Sequence, residues 1–225
     1  MSDSTPTPEG AVSAFDHLAE PGAPPLRQDQ RHVFALIPRG ARVLDLGCGD
    51  GALLAALVDH RGVRGHGVEI DGGCILACIG RGLSVVHEDI DEGLAVHPDQ
   101  SCDYVILSQT LQATRDPRRL LQKMARVGHA SVVSFPNFGH WRVRWALLFR
   151  GRMPQSPQLP YEWYDTPNIH LCTLADFDDL VRADGFVVRR RILLNGRGNV
   201  MRTKFLAGWR ASSAIYLLEH AAMQQ

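Results

Sequence analysis

The chain predicts a doubly wound, Rossmann-like α/β fold around a mostly parallel seven-stranded sheet whose last strand runs antiparallel. Three observations carry that prediction. Residues Val43 to Leu46 form an apolar strand that runs into three glycines at alternate positions, Gly47, Gly49 and Gly51, and then into a helical stretch. Further short apolar runs follow, separated by stripes of helical period, which is the pattern of strand–helix–strand units with right-handed connections. No internal repeat or low-complexity stretch breaks the alternation.

Residues 1–26 hold Pro6, Pro8, Pro21, Pro24 and Pro25 among small and polar residues. That is too little apolar content to fold alone, so a disordered N-terminal tail is expected there and a single domain over 27–225. From Arg27 to Ile37, Val33, Phe34, Leu36 and Ile37 lie near helical spacing, and Pro38 with Gly40 stops the helix before the first strand. After the glycine turn, Leu53, Leu54, Leu57 and Val58 mark a helix, and Gly65 to Ile70 supplies a second strand. Leu83 to Val86 reads as the third strand and Tyr104 to Leu107 as the fourth.

Asp116-Pro117 then opens a helix with an N-cap carboxylate and proline at the first helical position; Leu120, Leu121, Met124 and Val127 are its inner face. Ser131 to Phe135 forms strand five. Over about 136–172 the pattern turns irregular, apart from a short helical piece around Arg142 to Phe149, and prolines and aromatics accumulate. So long an insertion inside a compact domain is usually functional. Thr173 and Asp176 resemble a capping box for a helix that Gly185 ends. Phe186 to Leu194 is strand six, with Arg189, Arg190 and Arg191 as a solvated face, and Ala214 to Leu218 the antiparallel seventh.

The formal net charge is zero and no basic run stands out, which removes the counterion-release term on which nucleic-acid affinity depends. Five cysteines at irregular spacings describe no disulfide framework, and no charged-then-apolar leader opens the chain, so a cytoplasmic setting is expected. Cys74 and Cys78 are four apart, but no histidine or second cysteine pair completes a metal site; they read as small buried apolar residues. No apolar run reaches the roughly 18 residues of a membrane span.

The glycine spacing is G-x-G-x-G and lacks the third glycine of the pyrophosphate fingerprint. It points away from NAD and toward a nucleoside ligand without a diphosphate, read here as S-adenosylmethionine or S-adenosylhomocysteine. Glu69 follows Asp45 by 24 residues, at the carboxyl end of the second strand. An acid at about that spacing accepts from ribose hydroxyls and repels a 2′-phosphate. The plainer account of Glu69 is a surface acid in the turn Glu69-Ile70-Asp71-Gly72-Gly73. Cys48 reads as a small filler in the turn.

Leu44-Asp45-Leu46-Gly47-Cys48-Gly49-Asp50-Gly51 resembles motif I of class I S-adenosylmethionine-dependent methyltransferases. Three further stretches narrow the likeness: Phe135-Pro136-Asn137-Phe138-Gly139-His140-Trp141, Gly151-Arg152-Met153-Pro154, and Leu159-Pro160-Tyr161-Glu162-Trp163-Tyr164-Asp165-Thr166-Pro167-Asn168-Ile169-His170. With Ser108 to Thr114, these resemble the methionine biosynthesis protein MetW family from about Arg27 to Asn195. The resemblance implies a role beside a homoserine O-acyltransferase, acetyl or succinyl, without by itself establishing methyl transfer. It also implies that Asp45 orients the ligand's amino group, the bland alternative being a residue that pins the turn. Asp89 would accept from the adenine amino group and Ile90 pack on its ring, with Gly47, Cys48, Gly49, Gly51, Ile70 and Ser108 completing the cofactor set.

Methyl transfer from a sulfonium is an in-line displacement that needs alignment and exclusion of water more than a dedicated base. Ser108, Gln109 and Gln112 after strand four, and Pro136, Asn137 and His140 after strand five, are placed to face the methyl group. His140 or His170 is a general-base candidate, although a lone histidine is more often a structural hydrogen-bonder. No Asn-Pro-Pro-Tyr sequence follows strand four, which removes the usual signature of amide or adenine methylation. Tyr161, Trp163 and Tyr164, with Trp141 and Trp145, leave three accounts open: a lid over the ligand, a surface for another protein, or a local core that anchors the loop. Two functions follow, a partner protein in methionine biosynthesis or a stand-alone methyltransferase acting on a small metabolite. An NAD oxidoreductase is a weak third.

Overall fold

A computed structural model describes residues 26–155, 160–202 and 205–220. The elements in chain order are α1 (Gln28–Leu36), β1 (Arg42–Leu46), α2 (Ala52–Arg61), β2 (Arg64–Glu69), α3 (Gly72–Gly80), β3 (Val85–His87), β4 (Cys102–Ser108), α4 (Pro117–Val127), β5 (Gly128–Pro136), α5 (Trp141–Trp145), α6 (Leu174–Ala183), β6 (Phe186–Leu194), α7 (Ala207–Arg210) and β7 (Ser213–His220). The strands form one sheet in the order β3-β2-β1-β4-β5-β7-β6. All pairings are parallel except those of β7, which runs antiparallel to both β5 and β6. The winding reverses between β1 and β4, so the crevice beyond their carboxyl ends is where this architecture receives ligands.

Side chains alternate across the sheet. Leu44, Leu46, Val105, Leu107, Val133 and Phe135 pack on one side with Leu120, Leu121 and Met124 of α4 and Phe177 and Val181 of α6. Val43, Ile106, Val132 and Ile215 pack on the other with Val33 and Phe34 of α1 and Leu53 and Leu57 of α2. Each side is a continuous apolar layer, and burying large side chains of this kind stabilises by about 1.5–3 kcal/mol each.

The helix signals operate as their chemistry requires. Asp116 accepts from Arg119 N at 3.0 Å with Pro117 opening α4, and Thr173 and Asp176 form a reciprocal capping box on α6. Three readings need correction. Strand three begins at Val85, not Leu83, because Gly82 turns in the left-handed region and Leu83 N bonds back to Cys78 O, closing α3. Helix α3 was not foreseen, since a nine-residue segment apolar on most sides with glycines at both ends has no helical stripe. Cys78 is buried, but Cys74 on the same helix is only half-buried. The tail expected over 1–26 lies outside the described residues except for Leu26, which is buried beside α1.

Candidate functional site

Strand alternation sets the chemistry of the crevice. On the α1 side, the apolar positions Val43, Ile106 and Val132 are followed two residues later by Asp45, Ser108 and Ser134. Three adjacent strands, β1, β4 and β5, therefore end in a polar row on one face. The first turn of α1 lies on that row. Ser108 Oγ donates to Asp29 Oδ2 at 3.2 Å and stands 3.4 Å from Ser134 Oγ, while Arg27 Nη2 donates to Ser108 Oγ at 3.2 Å. Arg27 Nε also donates to Asp29 Oδ1 at 3.2 Å. The sequence reading singled out neither Arg27, Asp29 nor Ser134; the signal available was the repeated apolar-x-polar ending of three strands.

Asp45 is 2% exposed, and its side chain makes no hydrogen bond among the described residues. Burial pushes its carboxyl up to about 7, with Arg27 pulling it down and Glu69 adding to the push. The pinning role considered for Asp45 falls instead to Glu69. Glu69 Oε2 accepts from Gly49 N at 2.8 Å, and Oε1 accepts from Ile70 N at 2.8 Å and Asp71 N at 3.0 Å. A carboxylate has about four lone-pair directions, which leaves acceptor capacity toward the crevice.

The three glycines do different jobs. A Cβ on Gly47 would meet Thr110 at 2.8 Å, and one on Gly51 would meet Leu83 at 2.6 Å and Cys78 Sγ at 2.9 Å. Those two make room for the protein itself. At Gly49 nothing lies within 4 Å, and its φ is +58°. Open space over bare backbone is thus confined to Gly49, next to the Glu69 carboxylate. Cys48 fills the turn as expected, with its Sγ 3.8 Å from Cys78 Sγ and its thiol pushed well above the usual range, chiefly by burial.

Ile70 stands 59% exposed at the crevice mouth, whereas Ile90 packs against the core. Asp89 caps its own turn through Asp91 N at 2.9 Å and pairs with Arg115 at 3.2 Å. Gln109 adopts φ +57°, an uncommon conformation for a side-chain-bearing residue and one that clusters at functional sites. Gln112 Nε2 donates to Gln109 O at 2.6 Å, and its Oε1 is buried without a hydrogen-bond partner.

The remaining candidates serve the insertion. Asn137 Nδ2 donates to Gly208 O at 3.0 Å and Ala211 O at 2.7 Å, and Oδ1 accepts from Gly139 N at 2.9 Å, so both ends of its amide are spent inside the protein. His140 caps α5 by accepting from Arg142 N, and burial, with Arg142 beside it, lowers its pKa. His170 is exposed, with Nε2 3.2 Å from Arg115 O and its backbone N–H bonded to Gln112 O. Structure thus gathers Asp45, the glycines, Glu69, Ile70, Ser108 and Gln109 at the crevice and sets Asn137 and His140 at the root of the insertion.

The insertion is not a local core. Trp163 is 70% and Tyr164 72% exposed, packed edge to face on each other, and Trp145 stacks on Phe149 at 4.4 Å with both open to solvent. A π-helical turn, Ala146–Arg150, continues α5 to Gly151. Beside it lies a cavity of about 1310 Å³ whose lining includes Arg142, Arg150, Arg152, Arg197 and Arg210 against Glu162. This cavity is beyond β5 and apart from the glycine turn. Among the described residues none of these five arginines forms an ion pair. No group of three or more candidate metal ligands occurs among the described residues, and no helix there is long and apolar enough to cross a membrane.

Comparison with known proteins follows the same lines. The family described as "Methionine biosynthesis protein MetW" matches residues 27–218. A protein of Rhodopirellula baltica described as bifunctional methionine biosynthesis protein MetXA/MetW is 39% identical over 174 residues, which are 73% of this chain but 28% of that protein. Solved structures share the fold at low identity. An S-adenosylmethionine-dependent methyltransferase of Archaeoglobus fulgidus matches with TM-score 0.63 and 16% identity over 85% of this chain and 91% of that one. Another from Mesorhizobium loti matches with TM-score 0.63 and 17% identity over 86% and 98%.

Proposed function

Because the chain belongs to the MetW family of methionine biosynthesis proteins, we propose that it binds S-adenosylmethionine and acts as the partner of a homoserine O-acyltransferase, supporting the acylation of homoserine. The observation that carries this reading is the Rhodopirellula baltica relative, in which a region like this chain is part of a longer protein described as MetXA/MetW. Two modules joined in one polypeptide in one organism are natural partners as separate chains in another.

The surface suits such a partner. Leu148, Phe149, Trp163 and Tyr164 are all more than 60% exposed, and Phe149 lines the arginine-rich cavity together with Trp141 and Trp145. Exposed aromatics with arginine are the composition of binding hot spots. The five free cysteines suit a reducing cytoplasm.

The crevice residues fit the cofactor. Gly49 offers open backbone, Glu69 an acceptor for ribose hydroxyls, and Asp45 a buried carboxylate in want of a donor, which an ammonium group supplies. By the family resemblance, Asp89 and Ile90 would stand beside the adenine. When bound, this cofactor supplies a methyl group on a sulfonium. In the preferred reading it is a regulatory ligand. Co-purification of the two proteins, and acyltransferase assays with and without this chain, test the partnership. A stable complex with raised turnover is expected; no complex and unchanged turnover would remove the idea.

One observation favours the second reading, a stand-alone methyltransferase for a small metabolite. Left-handed Gln109 and the unpartnered Gln112 Oε1 sit together after β4, where an acceptor would meet the methyl group. Label transferred from methyl-labelled cofactor to a metabolite extract, and lost with Gly49→Val, is the outcome that supports it.

A further inference from the structure

Five like charges around one cavity repel one another, and among the described residues almost nothing offsets them. Carboxylates are not scarce, for the chain holds 24 Asp and Glu against 24 Lys and Arg. Nine arginines elsewhere form ion pairs within the chain. Yet the cavity beyond β5 sets Arg142, Arg150, Arg152, Arg197 and Arg210 against Glu162 alone, a formal excess of four positive charges. The cluster is tertiary. Arg142 stands on α5, Arg150 ends the π-helical turn, Arg152 follows it, Arg197 lies in the loop after β6, and Arg210 ends α7. These segments are held by bonds inside the protein. Asn137 joins the end of β5 to the carbonyls of Gly208 and Ala211, the Arg144 guanidinium lies 5.7 Å from the Trp209 ring centre, and Asn195 Oδ1 accepts from Arg197 N at 2.9 Å.

Guanidinium groups receive carboxylates and phosphates alike, so size and lining decide between occupants. Small-molecule pockets span about 300–1,000 Å³. This one, at about 1310 Å³, is larger, and exposed Trp145 and Phe149 stand in the same lining as the arginines. Such a mixture suits a stretch of chain that brings apolar side chains between its acids. We propose that the cavity receives an acidic segment of the partner protein, Asp and Glu interleaved with apolar residues. The proposal rests on the acyltransferase partnership above and deepens it by naming the chemistry of the contact. The aromatic rings then hold the complex, while the arginines speed its encounter and turn away basic surfaces.

Association kinetics of the full chain with its homoserine O-acyltransferase, at low and at high salt, test this. The association rate is expected to fall at least about 10-fold between about 0.05 and 0.5 M salt. Arg152→Glu combined with Arg197→Glu should slow association about 10-fold or more at low salt and change dissociation little. Arg152→Lys combined with Arg197→Lys should keep most of the rate. Circular dichroism confirms that each variant is folded. Poly-glutamate should compete with the partner more strongly than inorganic tripolyphosphate. Association indifferent to salt, or a charge-reversed variant that binds as the wild type does, would overturn the inference and leave the partnership standing. Tighter capture of tripolyphosphate would also overturn it, in favour of a phosphorylated small ligand. No complex at either salt concentration would remove the partnership and the inference together.

Discussion

Around the carboxyl ends of β2, β3 and β4, charge is turned inward, whereas in the insertion after β5 it is left open. Glu69 spends its oxygens on three backbone N–H groups, Asp29 on Arg27 and two serines, and Asp89 on its own turn and Arg115. A crevice built this way is held in shape before any ligand arrives, so little ordering cost falls on binding. The insertion does the opposite. Its arginines have no anionic partners among the described residues, and its tryptophans and tyrosines face water. Under the proposed function, the difference between the two regions is that between a small-molecule site and a protein-docking surface.

The insertion must be rooted in the core for this contrast to hold. Asn137→Ala leaves the carbonyls of Gly208 and Ala211 and the N–H of Gly139 unpaired, so a loss of about 3–4 kcal/mol is expected in chemical denaturation. An unchanged midpoint would mean the root is solvated and the contrast overstated. Within the crevice, Gly51→Ala drives a methyl group into Leu83 and Cys78 and should cost about 3 kcal/mol of stability. Gly49→Ala should cost about 1 kcal/mol, the backbone penalty alone, yet weaken cofactor binding far more than its stability loss explains. Equal damage from both would break the assignment of open space to Gly49.

On the insertion, Trp145→Ala combined with Phe149→Ala should leave the thermal midpoint within a degree or two and cofactor affinity unchanged, while acyltransferase binding weakens by about 2 kcal/mol, roughly 30-fold. A large fall in midpoint would return these rings to the core. The last effect concerns pH. Asp45 keeps its proton in the fold up to about 7, whereas in the unfolded chain it ionises near 3.8. The folded state therefore binds more protons over that interval, and this group lowers stability as pH rises from about 4 to about 7. Asp45→Asn should remove that slope, gaining up to about 4 kcal/mol at pH 7.5 and nothing at pH 3.5. No difference between the two pH values would place water, and not apolar surroundings, around Asp45.

Much of the fold was legible because local and tertiary signals agree. The strand entering the glycines, the Asp116-Pro117 helix start, the Thr173–Asp176 capping box and strand six from Phe186 to Leu194 all stand where their patterns put them. Helix α3 was not legible, since its hydrophobicity has no polar face to give a period and Gly72-Gly73 reads as a turn. In the crevice, the positions of Glu69 and the glycines follow from spacing along the chain, and that of Asp45 from the family resemblance. Arg27 and Asp29 do not, because a charged residue in the first turn of a helix looks the same whether it meets water or the ends of two strands. Nor does sequence distinguish an aromatic that fills a core from one that waits outside it, as Trp163 and Tyr164 show.

The sheet ends on one side in β3, three residues long, and on the other in β6, where Arg189 and Arg191 hold Glu219 and Asp178 and Arg190 is exposed. A stub offers an incoming segment almost no ladder, and a row of guanidinium groups repels one by bulk and solvation. Extension of the sheet by a foreign strand is disfavoured at both borders. These borders direct association toward side-chain contact rather than shared backbone pairing.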